Sequence, residues 1–276
     1  MKTQEPDIRD RAVPVYLNFA AKSFQAQLMY KFEYFIGVFN GLLYIFIFTS
    51  LWDTIYKAQP GAGGGYFTRQ GIITYAVFAM IIRVSMTMED NEITSRVRSG
   101  AIAMDLIKPV NYFLMNLSEC FGETVFHWFA RVTPIVIISV VSFDVALPAS
   151  AAGYAMAIFA WVLGYMILFT MNFAFSMLAF WFIETFSFQL MKYGLLTMFS
   201  GSIMPVDFFP EWSKPLIALM PFQYIFYAPA AIFTGHISGG RAIELMTLQM
   251  AWLAALSGVC ALMWNAARRK LVTQGG

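Results

Sequence analysis

A dense group of charged side chains lies in one short stretch between two apolar regions, at residues 89–100. Glu92 and Arg96 stand four positions apart, in the order that favours a helical ion pair, and Gly100 is a natural C-terminal stop. The spacing predicts a short helix that projects from the apolar part of the chain and docks on another protein; a solvated loop remains the alternative. The candidate docking residues are Glu89, Asp90, Glu92, Arg96 and Arg98.

Four more ionisable side chains fall inside long apolar stretches. A charge in hydrocarbon is costly, so such a residue marks either a ligand pathway or a structural contact. Long side chains near the end of a membrane helix can also extend to water. Both interpretations stay open for each member of this set, which is Arg83, His127, Arg131 and Lys192.

No motif for nucleotide binding, metal binding or covalent chemistry is present in the sequence. A phosphate-binding loop needs Gly-Lys followed by Ser or Thr, and no Lys follows a Gly here. His127 and His236 are the only histidines and lack closely spaced partner ligands, which argues against a zinc site. Cys120 and Cys260 lie in or beside apolar segments and are expected to be ordinary thiols. We therefore expect a chain that is not an enzyme and binds no cofactor.

The composition identifies the environment of these residues. Hydrophobic residues make up 59% of the 276 positions and charged residues only 12%, too few to form the charged coat of a soluble protein. The last apolar stretch, 245–267, is followed by Arg268, Arg269 and Lys270. About 20 apolar residues cross a bilayer as a helix, and Lys and Arg tend to stay on the cytoplasmic side. The chain is thus predicted to be an all-α integral membrane protein.

The apolar stretches predict six transmembrane helices and one helix along the inner membrane surface. The surface helix covers residues 13–32 and is amphipathic, with Leu17, Ala20, Phe24 and Leu28 on its apolar side; a plain extension of the first span is the alternative. Gly37 and Gly41 in the first span permit close helix approach, either at a dimer seam or within one subunit. The six spans are 34–52, 71–88, 124–143, 151–182, 186–206 and 245–267.

The segment 207–240 is apolar and long, yet it is rich in Pro and Gly, which would interrupt a lipid-facing helix. We interpret it as two short helices that dip into the outer leaflet and return. Both termini then lie in the cytoplasm, which leaves most Lys and Arg residues on the inner side.

The order of these parts resembles the permease subunit of type-two ABC exporters, in a compact six-span branch without an ATPase domain of its own. Two strings carry this resemblance besides the layout. The first is RSGAIAMDLIKPVNY at residues 98–112, which follows the coupling helix within the coupling region 89–112. The second is SGSIMPVDFFP at residues 200–210, which precedes the re-entrant helices.

The resemblance implies a single permease domain, 1–276, in the bacterial cytoplasmic membrane. It implies a second permease subunit, identical or paralogous, and separate ABC ATPase subunits that hold ATP and magnesium and contact Glu92, Arg96 and Arg98. It also implies an outer gate and a small-molecule or lipid-like substrate such as a drug, lipophilic cation, lipid or glycan; no nucleic-acid partner is expected. The corresponding gate residues are Pro205, Phe208, Phe209 and Pro221.

Two other classes of protein stay open at this point. A secondary transporter driven by an ion gradient would show repeated halves and acidic residues at the centre of a span; no clear repeat and no such acid is found in the sequence. A membrane-embedded enzyme would show convergent His, Asp, Glu or Ser within the bilayer, and these residues are sparse here.

Overall fold

The computed structural model describes residues 8–29, 31–59, 67–88, 92–143, 145, 151–182 and 184–274, and this part of the chain contains helices and no strands. It forms twelve α-helices with short 3-10 turns and one π-helical segment. The helices are α1 (Ile8–Gln27), α2 (Lys31–Ala58), α3 (Arg69–Ser85), α4 (Glu92–Arg98), α5 (Ile102–Ile107), α6 (Tyr112–His127), α7 (Thr133–Ser142), α8 (Ala151–Met177), α9 (Phe186–Phe199), α10 (Lys214–Ala218), α11 (Tyr227–Phe233) and α12 (Gly239–Gln274).

Four helical stretches are by themselves long and apolar enough to cross a bilayer: 33–58, 112–142, 151–180 and 239–270. The other two predicted spans form shorter helices. With 17 residues in α3 and 14 in α9, their lengths are about 25 Å and about 21 Å, against a hydrocarbon core of about 30 Å. The all-helical membrane architecture is confirmed, whereas six complete crossings remain a prediction.

The third predicted span begins earlier than its predicted start at residue 124. Helix α6 starts at Tyr112 and continues into α7 through the π-helical segment Trp128–Val132. Its first turn is capped by Asn111, whose Oδ1 accepts a hydrogen bond from the N–H of Leu114 at 3.2 Å. The acidic residues of α6 interrupt the apolar pattern in the sequence but face other parts of the protein, so the helix extends through them.

The π-helical segment coincides with a proline. Pro134 occupies the first turn of α7 and has no N–H to donate to the preceding turn. The carbonyl of Trp128 instead accepts bonds from the backbone N–H of Thr133 and from its Oγ1, the latter at 2.8 Å. The wider turn therefore accommodates the proline without ending the helix.

Helix α1 begins and ends earlier than the predicted 13–32 and lies directly against α6. A Cβ at Gly122 would be 2.1 Å from the carbonyl oxygen of Ala20, so the two backbones touch at this point. Of the residues predicted for its apolar side, Ala20 faces α6, whereas Leu17 and Leu28 are exposed. The contact with α6 selects the buried side, and the position along the membrane surface stays a prediction.

The main core is formed by α3, α8, α11 and α12. The segment between α9 and α12 contains two short helices, α10 and α11, and α11 is largely enclosed by α8 and α3. Gln249 of α12 is fully buried, and its Nε2 donates to the carbonyls of Ala160 at 2.9 Å and Tyr224 at 2.8 Å. These bonds fix the short helices to the long ones; their re-entrant placement in a bilayer remains a prediction.

Candidate functional site

The charged stretch after α3 forms the two short helices α4 and α5. Gly100 separates them with a φ of 76°, in the left-handed region that favours glycine, so the predicted stop is confirmed. The predicted ion pair between Glu92 and Arg96 is also present. Glu89 and Asp90, the other two acidic docking candidates, lie outside the described residues.

Arg96 is at the centre of an ion network that joins α4, α5 and α6. Its guanidinium contacts Glu92, Asp105 at 3.3 Å and Glu119 at 3.0 Å, and its side chain is only 20% exposed. Burial by itself would lower the pKa of Arg96, but the charges of Glu119, Glu92 and Asp105 more than offset this and raise it. The structure thus directs Arg96 inward, as a clamp between helices of this subunit.

Arg98 connects the same unit to the start of α9. It lies 3.2 Å from a carboxylate oxygen of Glu184 and 3.2 Å from the Oγ1 of Thr185. The pKa of Glu184 is lowered, first by the backbone N–H of Phe186 and then by Arg98. Both arginines predicted to face a partner therefore hold α4 to the helices behind it.

The outward surface of the α4–α5 unit is partly apolar. Met104 and Ile107 are 69% and 76% exposed, and Glu92 and Arg98 of the same unit are exposed as well. Sequence analysis missed these two residues and also Asp105 and Glu119. Asp105 and Glu119 were missed because the charges of one helix do not indicate which acids of later helices will contact it. Met104 and Ile107 could have been noticed, because both are apolar residues next to charged residues in the sequence.

Arg83 and Lys192, two of the cations inside apolar helices, line one cavity of about 250 Å³ between α3, α8 and α9. The guanidinium of Arg83 donates to the hydroxyl of Tyr193 at 2.9 Å and is 3.4 Å from that of Ser202. Lys192 is 2% exposed and donates to the Oδ1 of Asn172 at 2.9 Å. The structure thus brings together two of the four predicted residues.

The other two, His127 and Arg131, are in a different place, where the π-helical segment meets α2. Arg131 lies over the ring of Tyr34 at 5.3 Å. A Cβ at Gly37 would be 2.8 Å from the Nε of Arg131, and one at Gly41 would be 2.6 Å from the Cδ1 of Ile135. The structure uses both glycines for packing within the subunit, which is one of the two alternatives; a dimer seam at this face stays a prediction.

Aromatic rings surround the residues predicted to form the outer gate. The ring of Phe208 is 4.8 Å from that of Trp52 and 6.0 Å from that of Phe67, and Phe209 is 6.2 Å from Phe199. Two of the four predicted positions are prolines that precede short 3-10 turns: Pro205 before 206–208 and Pro221 before 222–224.

Asp207 lies in the first of these turns and was missed by sequence analysis. Its carboxylate accepts a hydrogen bond from Tyr227 at 2.8 Å and is 3.2 Å from the Nε2 of His236. Burial would raise the pKa of Asp207, yet the hydrogen bonds from His236 and Tyr227 outweigh burial and lower it. The ring of His236 is stacked on that of Phe67 at 4.0 Å. The spacing of these residues in the sequence gave no indication of their contact.

A second cavity, of about 580 Å³, lies between α3, α6, α8 and α11 and is lined mainly by apolar side chains. Trp128 and Trp161 meet there edge to face at 5.6 Å, and the indole N–H of Trp161 donates to the hydroxyl of Ser85 at 2.8 Å. This volume is within the range of about 300–1,000 Å³ that is typical of sites for drug-sized ligands.

The family described as ABC-2 family transporter protein matches residues 39–275, which is nearly the whole chain. The chain belongs to this family. The match includes the α4–α5 unit, both cavities and the short helices before α12. A comparison with curated proteins found no match.

The ABC-2 family match and the long apolar helices identify the chain as a multi-pass membrane protein and a permease subunit of an ABC transporter. In this family the permease subunit has no ATPase domain, so an ABC ATPase is its partner. Cys120 and Cys260 are both free thiols in the structure, as expected.

Proposed function

We propose that this ABC-2 permease is the membrane-spanning subunit of an ATP-driven exporter that moves a lipophilic or amphipathic substrate. The observation that carries the proposal is the α4–α5 unit, which presents an exposed surface on one side and is bound by ion pairs on the other. Arg96 fixes this unit to α6, and Arg98 fixes it to the start of α9.

The proposed coupling step is mechanical. An ATPase that binds ATP and magnesium docks on the exposed surface formed by Met104, Ile107 and Glu92. Movement of that surface passes to α6 and α9 because charge-assisted hydrogen bonds connect them at about 3 Å. The permease thereby responds to a partner that hydrolyses ATP without binding the nucleotide itself.

A second permease subunit is part of the proposal, and the surface of α9 supports it. This helix makes few contacts with the rest of the subunit and leaves a series of large apolar side chains exposed. A second copy or a paralogous permease would cover them next to the cavity that contains Arg83. The exposed residues are Phe186, Leu190, Met191, Tyr193 and Met198.

The remaining features of the proposal concern placement in the membrane. We place the protein in the bacterial cytoplasmic membrane with six crossings and both termini inside, so that Arg268, Arg269 and Lys270 face the cytoplasm. Helices α10 and α11 then enter the outer leaflet, and the aromatic contacts of Phe208 support a gate there. The apolar cavity of about 580 Å³ supports a lipophilic or amphipathic substrate.

The test is docking of the cognate ATPase on the exposed surface of α5. Replacing Ile107 by Glu puts a charge in the centre of the proposed interface and should reduce co-purification of the ATPase about tenfold or more. Leu219→Glu is the matched control, because Leu219 is also exposed but lies in the segment placed outside.

Equal ATPase recovery with both variants would reject docking at α5. Substrate movement by the permease alone, driven by an ion gradient and with no ATPase present, would reject ATP-driven export in favour of secondary transport.

A further inference from the structure

The environment of Arg83 is unusual for a cation in a membrane helix. Arg83 is 14 positions along α3 from Arg69, a rise of about 21 Å. Both side-chain partners of its guanidinium are neutral hydroxyls, those of Tyr193 and Ser202. Among the residues that the structure describes, no carboxylate is within ion-pair distance of Arg83.

Two hydroxyls do not satisfy this group. A guanidinium has five N–H donors, and the bonds to Tyr193 and Ser202 occupy two of them. A cation surrounded by apolar helices is costly unless a negative charge or several acceptors compensate it. The remaining donors of Arg83 are therefore suited to an anionic ligand.

The cavity beside Arg83 contains a second polar atom that lacks a partner. Thr197 lines the same cavity, and its hydroxyl oxygen is buried and has no hydrogen-bond partner within the described part of the chain. An oxyanion in the cavity would accept a hydrogen bond from this hydroxyl as well as from Arg83. Two independent groups on α3 and α9 thus favour the same kind of ligand.

The size of the cavity limits what it can hold. Its volume of about 250 Å³ is below the range of about 300–1,000 Å³ typical of sites for drug-sized molecules. The remaining walls are partly apolar and include Leu168, Leu196 and Phe226. The cavity therefore suits a small charged head and the first carbons of an attached chain.

We propose that Arg83, with Thr197, binds the carboxylate or phosphate head group of an amphipathic anion in the cavity between α3, α8 and α9. The role of this ligand as the transported substrate rests on the proposed export function, whereas its binding does not. The exposed ring of Tyr193 lies beside the guanidinium, so the site opens next to the surface of α9.

The experiment measures binding to the full chain in phosphatidylcholine nanodiscs by calorimetry, with empty nanodiscs as the reference for partitioning. The probes are dodecyl phosphate, dodecanol and inorganic phosphate. Dodecyl phosphate should bind about tenfold or more tightly than dodecanol, because a charge-assisted hydrogen bond is lost with the neutral head. Arg83→Gln should abolish this preference, and Arg83→Lys should retain part of it.

A matched control is available on the same helix. Arg69 near the start of α3 is exposed and paired with Asp53, so Arg69→Gln should leave dodecyl phosphate binding unchanged. Thr197→Val should weaken binding by a smaller factor than Arg83→Gln and tests the site with little change in volume. Equal affinity of wild type and Arg83→Gln for dodecyl phosphate would overturn the proposal.

Competition distinguishes the natural source of the anion. Displacement of dodecyl phosphate by inorganic phosphate supports a free anion as ligand, and displacement by phosphatidylglycerol in the nanodisc supports a membrane lipid. No displacement by either supports a single-chain amphipathic anion. These binding measurements contain no ATPase and therefore do not depend on the proposed export function. If dodecyl phosphate does not bind but the ATPase co-purifies normally, the head-group site is rejected and the export proposal is not.

Discussion

Replacing Arg96 by Gln should release the α4–α5 unit from the membrane helices. The substitution keeps most of the side-chain volume but removes the positive charge shared by Glu92, Asp105 and Glu119. The three carboxylates would then repel one another at close range. We expect α4 to lose its fixed position while the long helices stay folded, since no residue of α4 belongs to their main core.

The exposures of the partners set the size of the effect. The side chains of Asp105 and Glu119 are 11% and 17% exposed, so each of these pairs is worth about 1.5–3 kcal/mol. Glu92 is 43% exposed, and its pair contributes at most about 1 kcal/mol. The sum is about 3–7 kcal/mol, which corresponds to an increase in local opening of about two to five orders of magnitude.

Hydrogen exchange of the backbone amides of 92–98 in nanodiscs measures this opening directly. Arg98→Gln is the matched control, because the Arg98–Glu184 pair is exposed at 42% and 67% and its loss should change the opening of α4 little. With the ATPase present, Arg96→Gln should also lower stimulation of ATP hydrolysis. If the two variants accelerate exchange equally, the network around Arg96 does not clamp α4.

Two further predictions concern stability of the fold. Gly122→Ala should lower the melting temperature in detergent, because the added Cβ would meet the backbone of α1. Gly258 has open space around it, so Gly258→Ala should have little effect. Similar melting temperatures of the two variants would contradict the backbone contact. Because the pKa of Asp207 is lowered in the folded state, its contact with His236 stabilises the protein at neutral pH. This contribution to stability is lost below about pH 4, as the pH falls through the folded-state pKa of Asp207. Asp207→Asn should flatten that part of the stability profile, and an unchanged acid-induced loss of stability would refute the assignment.

Local features of this protein follow well from its sequence. The pair Glu92–Arg96 and the stop at Gly100 depend on neighbours within one or two turns, and both are present in the structure. The apolar composition likewise indicates membrane helices, because length and hydrophobicity are properties of a single segment. Helix α6 starts before the predicted third span because Glu119, which interrupts the apolar pattern, is paired with Arg96 and does not end the helix.

Contacts between distant segments were not predictable in the same way. Nothing in the sequence places Arg83 and Lys192 in one cavity, or Asp207 beside His236, because these contacts depend on how the helices pack. The inward direction of Arg96 also depends on acids from two later helices. The sequence thus shows which positions carry an ionisable side chain, but it does not show which residue that side chain contacts, and this contact determines its role.

The π-helical turn before Pro134 divides one long helix into two parts with different neighbours. The part before the turn carries Glu119 and is bound to Arg96, whereas the part beyond the proline packs on α2. Sharp bends in helices occur at prolines and at π-helical turns, and this boundary contains both. If the proposed docking of an ATPase moves the α4–α5 unit, the part that carries Glu119 would tilt with it while the part beyond Pro134 keeps its place against α2.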